Sequence, residues 1–373
     1  MMLLILGNLE RLLDHHHSQA SQTSRPFASL SFEKRQAQVC DSAFLQTQRR
    51  SVETLTKPLT FADFQQDRAC YNRAHNNNWA VVDAHLHPRP FGGQPVPFTD
   101  LLGRMRRAGI LFTTLYGLGQ RLPVNSECTY YLNCPGTSVT PSLKNDFFNA
   151  QSVLDSGHSL ESPQGPHIVL SMSFFDLHQP QGALEKMKLL QREFPGVFRW
   201  VGEINLVKQA LWANHQGLPV ELKSISEWEP FMSEFRRQKL PLALHSDLGN
   251  DKDGLEFLPL MDRVLETYPE NEIIWVHMAG ISKQLKPHVA KASLLQRPVT
   301  IEAHISMIEE RLEKYPKLMI DLSWDILYDQ LYALRADRMP YVQLLNRFPS
   351  RFLSGSDHVA SVEKTEDVYR SLA

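Results

Sequence analysis

The stretch Val81-Val82-Asp83-Ala84-His85-Leu86-His87-Pro88 sets two imidazoles and a carboxylate on one face of what reads as a strand. Period-two alternation turns Val81, Asp83, His85 and His87 one way and Val82, Ala84 and Leu86 the other. Buried polar groups need partners, and a metal ion is a partner that both histidines can share. Pro88 has no N–H for a ladder and ends the pairing. Alone, the motif decides little. With fifteen histidines in the chain, a chance His-x-His pair is unsurprising, and His15 with His17 supplies one in a run with no strand around it.

The reading depends on further ligands, and later strand-like segments end in them. Glu203 lies near the end of Arg199–Asn205, His245 ends Leu242–His245, His277 ends Ile274–His277, and Asp357 ends Phe352–Asp357. Each alone reads more simply as structural: a core histidine bonded to a carbonyl, or a strand-end aspartate capping a helix. Together, four histidines and two carboxylates at strand ends point to a metal site. Neutral imidazole and carboxylate suit zinc, manganese, iron, nickel or cobalt, so the set does not choose the metal. Arg89, just past the histidine pair, is a candidate clamp for a substrate carboxylate or phosphate, with a plain surface arginine as the alternative. Tyr130, Tyr131, Trp324 and Tyr328 are candidates to line a pocket or to pack the loops above it. Asp321 is a candidate to support a ligand; His304 and His358 receive no role.

The elements that must position these residues follow a strand-then-helix beat from Asn78 onward. Strands are expected at Trp79–His87, Ile110–Tyr116, His167–Ser173, Val197–Ile204, Pro241–Ser246, Glu272–Met278, Lys317–Asp321 and Arg351–Gly355. Helices are expected at Thr99–Ala108, Asp146–Asp155, Ala183–Glu193, Ile225–Gln238, Leu258–Thr267, Ala303–Lys314, Tyr341–Phe348 and Glu363–Ser371. Near-continuous Val, Ile and Leu runs suit a parallel sheet covered by helices. Eight such units make a (β/α)8 TIM barrel, whose chemistry sits at the C-terminal ends of its strands. A doubly wound open sheet is the alternative, but it calls for a glycine-rich loop after its first strand, where this chain has His-Leu-His-Pro. Residues 1–77, rich in Gln, Ser, Arg and His, read as a partly irregular N-terminal extension with one helix near Thr60–Arg73; residues 78–373 form the barrel domain.

Composition narrows the partners. The chain has 373 residues, 42% hydrophobic and 21% charged, with net charge −2. Without long basic runs, neither nucleic acid nor an anionic membrane is expected. No apolar run reaches the length of a membrane span, and Met1–Gly7 lacks the basic flank and length of an export signal, so the expected compartment is cytoplasmic. The expected partner is a small-molecule substrate, and a homo-oligomer is compatible with the sequence. Four cysteines at this length do not make a disulfide scaffold. Cys40, Cys70, Cys128 and Cys134 are expected as free thiols, with Cys128 and Cys134 the pair to bridge in an exported protein.

The pattern resembles the amidohydrolase superfamily, most closely its amidohydrolase-related branch of metal-dependent hydrolases. The resemblance rests on Asp83-Ala84-His85-Leu86-His87, Gly202-Glu203, His245, His277 and Ser354-Gly355-Ser356-Asp357, with support from Lys314–Ser323 and Phe348–Phe352. It covers about residues 79–360 and implies a divalent metal, zinc first among the choices, at one or two per chain. By resemblance, His85, His87 and Asp357 bind a first metal, and His245 and His277 bind a second or orient the substrate. Glu203 bridges, where many members use a carboxylated lysine. The implied activity is hydrolysis of an amide, lactone or ester, with phosphoesters as a further option, and Asp357 moves the proton. A glutamate at this place speaks against the mononuclear decarboxylases of the branch, which remain the alternative beside a non-catalytic binding protein.

Overall fold

A computed structural model describes residues 81–280, 299–324 and 339–360, except 93, 94, 119, 124, 125, 164 and 251, together with the pairs 57–58 and 78–79. Lys57–Pro58 and Asn78–Trp79 pair in parallel. The rest of the expected extension, the expected helices Thr60–Arg73 and Glu363–Ser371, Tyr328, Cys40 and Cys70 lie outside the described residues.

The central sheet is parallel throughout and runs in sequence order. Its strands are β1 (Val81–His87), β2 (Ile110–Leu115), β3 (His167–Met172), β4 (Phe198–Val207), β5 (Leu242–Ser246), β6 (Ile273–Trp275), β7 (Leu318–Leu322) and β8 (Phe352–Ser354). A last short strand, β9 (His358–Val359), lies against β1, with His358 opposite Leu86 and Val359 opposite His87. The eighth barrel strand is thus broken in the middle: β8 pairs with β7 and β9 pairs with β1. This closes the sheet, as a (β/α)8 barrel requires and an open doubly wound sheet does not.

Helices α1 (Phe98–Arg107), α2 (Lys144–Asp155), α3 (Ala183–Glu193), α4 (Glu229–Gln238), α5 (Leu258–Thr267), α6 (Ile301–Lys314) and α7 (Met339–Arg347) occupy the connections. Their apolar spacing explains their packing: α1 buries Leu101, Leu102 and Met105 and carries Asp100 in its first turn and Arg104, Arg106 and Arg107 in its last, as the helix dipole favours. Thr300 caps α6 by accepting from the Ala303 N–H at 3.1 Å. The helix expected from Ile225 starts as a 3-10 turn over Leu222–Trp228, and the α-helix begins only beside Pro230, whose fixed φ suits a first turn.

The core has two parts. Val82, Ala84, Phe112, Val169, Trp200, Ala243, Ile274 and Leu353 come from seven of the strands and form one buried cluster, which is the barrel lining. The larger cluster lies between strands and helices and includes Leu86. The expected alternation in β1 therefore breaks: Val82 and Ala84 face the lining while Leu86 faces the helices. The cause is a register shift against β2 between Asp83 and Leu86, a bulge that re-aims the strand end.

Two further expectations are corrected. The sixth strand does not run to Met278; it ends at Trp275. His277, Met278 and Ala279 then take left-handed backbone, at φ 57°, 51° and 60°, and the His277 N–H donates to Asp321 Oδ1 at 3.1 Å instead of to a ladder. Cys128 and Cys134 are not free thiols but a disulfide with Cα atoms 6.1 Å apart. The single turn Tyr131–Asn133 folds the intervening residues back and brings the sulfurs together. Asn214 holds this loop, donating to the Cys134 and Thr137 carbonyls at 2.9 and 2.8 Å. Among the described residues, no helix is long and apolar enough to cross a membrane.

Candidate metal centre

The bulge at the end of β1 turns both of its histidines into the barrel mouth, where each has one nitrogen committed. His85 Nδ1 donates to Asp321 Oδ2 at 2.7 Å, and His87 Nδ1 donates to the Gly117 carbonyl at 3.2 Å. Burial pushes the Asp321 carboxyl up, but His85 beside it outweighs that and holds the group below its ordinary range. It is therefore an ionised acceptor, and a carbonyl only accepts, so the proton of each ring sits on Nδ1. The two Nε2 lone pairs then face each other at 3.3 Å. Asp357 Oδ1 approaches them at 3.5 and 3.2 Å, and Glu203 Oε2 at 3.7 and 3.6 Å.

A second group forms around the other oxygen of Glu203. His245 Nδ1 lies 2.5 Å and His277 Nε2 3.3 Å from Glu203 Oε1. Their outer nitrogens are again committed: His245 Nε2 donates to Asp247 Oδ1 at 3.0 Å, and His277 Nδ1 meets Ser323 Oγ at 2.9 Å. Glu203 thus turns one oxygen to each histidine pair. Within each of these groups the ligand atoms lie within 4.8 Å of one another. Lys208 Nζ also donates to Glu203 Oε1, at 3.0 Å.

The electrostatics fit a cation. Burial opposes ionisation of Glu203, yet Lys208, His245 and His277 hold it well below the carboxylate range. Asp357 is held low despite burial by His277, His87 and His85. Burial disfavours imidazolium, but Asp321 and Glu203 overcome this and raise His85 well above its ordinary value. Each imidazole has its outer nitrogen bonded to a neighbouring group, Asp321, the Gly117 carbonyl, Asp247 or Ser323, as metal-ligating histidines do. The donor set fits a divalent metal such as zinc.

The surroundings fix this arrangement. Asp83 accepts from Ser356 N at 2.8 Å and Ser356 Oγ at 2.7 Å, tying the first strand to the eighth; burial pushes its pKa up to about 6. Asp357 N donates to the His85 carbonyl at 2.7 Å. A Cβ on Gly355 would lie 2.6 Å from His85 Cβ, so only glycine admits this approach. Tyr116 stacks on His85 with centroids 4.4 Å apart, and Trp324 stands 5.0 Å from the His277 ring.

His85, His87, Glu203, His245, His277 and Asp357, picked from five expected strand ends, all meet here. Arg89 does not join them. Its guanidinium donates to Ser152 Oγ at 2.7 Å and the Phe148 carbonyl at 3.4 Å on α2, and lies over the Phe148 ring. Tyr131 is buried in a cluster with Phe91, Leu118, Leu122, Val139 and Leu211 above the mouth. His304 is bonded to Tyr341 at 2.9 Å and lies beside the Met278 and Ala279 backbone, not among the clustered ligand atoms. Sequence reasoning missed Lys208 and Asp247. Asp247 continues the period-two face of His245; nothing in the sequence singled out Lys208.

No family model and no curated protein matches the chain. Among solved structures it is similar to a dihydroorotase from Campylobacter jejuni, at 13% identity over 79% of this chain and 76% of that one, with TM-score 0.43. It is also similar to an amidohydrolase from Burkholderia multivorans with bound zinc, at 13% identity over 79% and 92% of the two chains, with TM-score 0.42. A TatD-family hydrolase from Entamoeba histolytica gives 12% identity over 79% and 80%, with TM-score 0.40.

Proposed function

We propose that this chain is a metal-dependent hydrolase of the amidohydrolase type, acting on a small molecule with an amide, lactone, ester or phosphoester bond. The observation that carries this reading is the convergence of four buried imidazoles on Glu203 and Asp357, each with its outer nitrogen committed elsewhere. His85, His87 and Asp357 would hold a divalent ion with Glu203 Oε2, and His245 and His277 stand ready at Glu203 Oε1. A divalent ion bound there makes a water nucleophilic at neutral pH and polarises the bond under attack.

The protein's own groups then do the rest. Asp357, ionised and at the rim, takes the proton as the water oxygen bonds to carbon or phosphorus. As the C–N, C–O or P–O bond breaks, it passes that proton to the leaving nitrogen or oxygen. Asp321 and the Gly117 carbonyl keep His85 and His87 in the tautomer that offers Nε2. Trp324 walls the side next to His277 and limits the substrate there. A decarboxylase on the same barrel is the second reading, and the place of Glu203 between two histidine pairs favours hydrolysis over it.

The test is metal content of protein purified without chelator, followed by a panel of lactones, amides, esters and phosphoesters. Bound zinc or another divalent ion, with turnover lost to a chelator and restored by metal, is the expected result. Protein that takes up no metal after reconstitution would rule the reading out, and release of CO2 in place of uptake of water would favour the decarboxylase.

A further inference from the structure

We propose that Lys208 limits this centre to one divalent ion and itself supplies the second positive charge, donating to a substrate oxygen as that oxygen becomes negative. The inference rests on the hydrolase reading and deepens it.

Glu203 has two different surroundings. Its Oε2 faces His85 and His87 at 3.7 and 3.6 Å, with Asp357 close by and, among the described residues, no lysine or arginine paired to it. Its Oε1 is shared by His245 Nδ1, His277 Nε2 and Lys208 Nζ at 2.5, 3.3 and 3.0 Å. A second ion using His245, His277 and Oε1 as ligands would sit beside an ammonium that already neutralises that oxygen. The side chain of Lys208 is only 12% exposed, so water screens this repulsion weakly.

The lysine is also aimed. β4 runs to Val207, three residues beyond the strand end expected from the sequence. There the Lys208 N–H donates to the Gly217 carbonyl at 2.8 Å, and its own carbonyl accepts from Leu211 N at 3.0 Å. Gly217 has φ 70°, and a Cβ there would fall 2.3 Å from the Lys208 oxygen, so glycine is what lets the two backbones close. The ammonium is therefore delivered to the mouth from a pinned backbone, partly open to a small ligand.

The experiment compares wild type with Lys208→Met, Lys208→Gln and Lys208→Arg. Each is stripped with chelator, reloaded with zinc or cobalt(II), freed of loose metal and assayed for metal per chain; manganese(II)-loaded samples are read by electron paramagnetic resonance. The expected result is one ion in wild type and Lys208→Arg, and two in Lys208→Met and Lys208→Gln. The second ion should bind at least about a hundredfold more tightly in the neutral variants than in wild type, with a spin-coupled manganese pair in those variants alone. Two neutral variants are used so that failure of one to fold leaves the other. Two ions in wild type, or one in every folded neutral variant, would overturn the role of Lys208 and leave the hydrolase reading standing. No metal in any protein would overturn the hydrolase reading itself, and this inference with it.

Discussion

The Nε2 atoms of His85 and His87 lie 3.3 Å apart, and neither can donate to the other, because each ring has given its proton to an acceptor at Nδ1. Two lone pairs at that distance, with ionised Glu203 and Asp357 beside them, repel unless a cation stands between. Protons can partly fill that role: burial opposes them, yet Asp321 and then Glu203 raise His85, and Asp357 and Glu203 raise His87, above the ordinary histidine value. A divalent ion fills it better, with His85, His87, Asp357 and Glu203 already assembled.

Asp357→Asn keeps size and removes both the charge and the proton acceptor. Its expected effect is a fall in kcat of about 10²- to 10⁴-fold, the usual contribution of a positioned base, with thermal stability near wild type. A variant turning over at the wild-type rate would remove Asp357 from the mechanism. His87→Ala is the companion: it should lose metal in an equilibrium-dialysis assay, whatever the substrate.

Asp321→Asn tests the orientation of His85. The carboxylate accepts from His85 Nδ1 at 2.7 Å and from the backbone N–H groups of His277 and Ser323 at 3.1 and 2.8 Å. An asparagine can offer its amide N–H to His85 and favour the wrong tautomer. Metal affinity should fall about 10- to 100-fold, measured by competition with a colorimetric chelator. Unchanged affinity would mean that His85 does not depend on Asp321 for its tautomer.

The six central side chains were legible in the sequence because a parallel barrel collects its strand ends on one rim, so each needed only to be polar at the right end of an apolar run. Asp321 was legible for the same reason. Lys208 was not, since it lies past the expected end of its strand and reaches back through a flexible side chain. The place of Arg89 could not be read from its adjacency to His87, which says nothing about direction: Pro88 turns the backbone, and Ser152 and the Phe148 carbonyl on α2 accept from the guanidinium. The β1 bulge was invisible because strict alternation assumes an unbroken ladder. The Cys128–Cys134 bridge was passed over because spacing alone does not reveal a single turn that folds the loop back on itself.

That bridge closes a short loop that contains Tyr131, itself part of the buried cluster above the mouth. Replacing both cysteines by serine should cost on the order of 2 kcal/mol, from the loop entropy returned to the unfolded chain. Urea unfolding with and without reductant checks it. Reductant should shift the wild-type midpoint down and leave the double variant unmoved; equal midpoints for the two proteins in oxidising buffer would mean that the bridge contributes nothing to stability.

The dependence of stability on pH should carry a part from His304, which is not one of the metal ligands but lies against the Met278 and Ala279 backbone just after His277. This imidazole is fully buried on α6 with Nδ1 against the Tyr341 hydroxyl at 2.9 Å, and burial pushes its pKa down to about 4. In the unfolded chain the group titrates at about 6.5. Its folded pKa is therefore the lower one. Above about pH 6.5 both states are neutral and nothing is lost. As pH falls from there toward about 4, the unfolded chain binds a proton that the folded chain refuses, so stability drops with pH; below about 4 the loss levels off. Between pH 7 and 5 the expected loss from this residue is about 2 kcal/mol. The carboxylate and histidine cluster adds its own pH dependence, so the measurement is a difference: urea stability at pH 7 and pH 5 for wild type and His304→Gln, both loaded with metal. The variant should start less stable at pH 7, having exchanged a fitted ring for an amide, yet lose about 2 kcal/mol less on going to pH 5. The same loss in both proteins would mean that His304 takes up its proton without unfolding the chain.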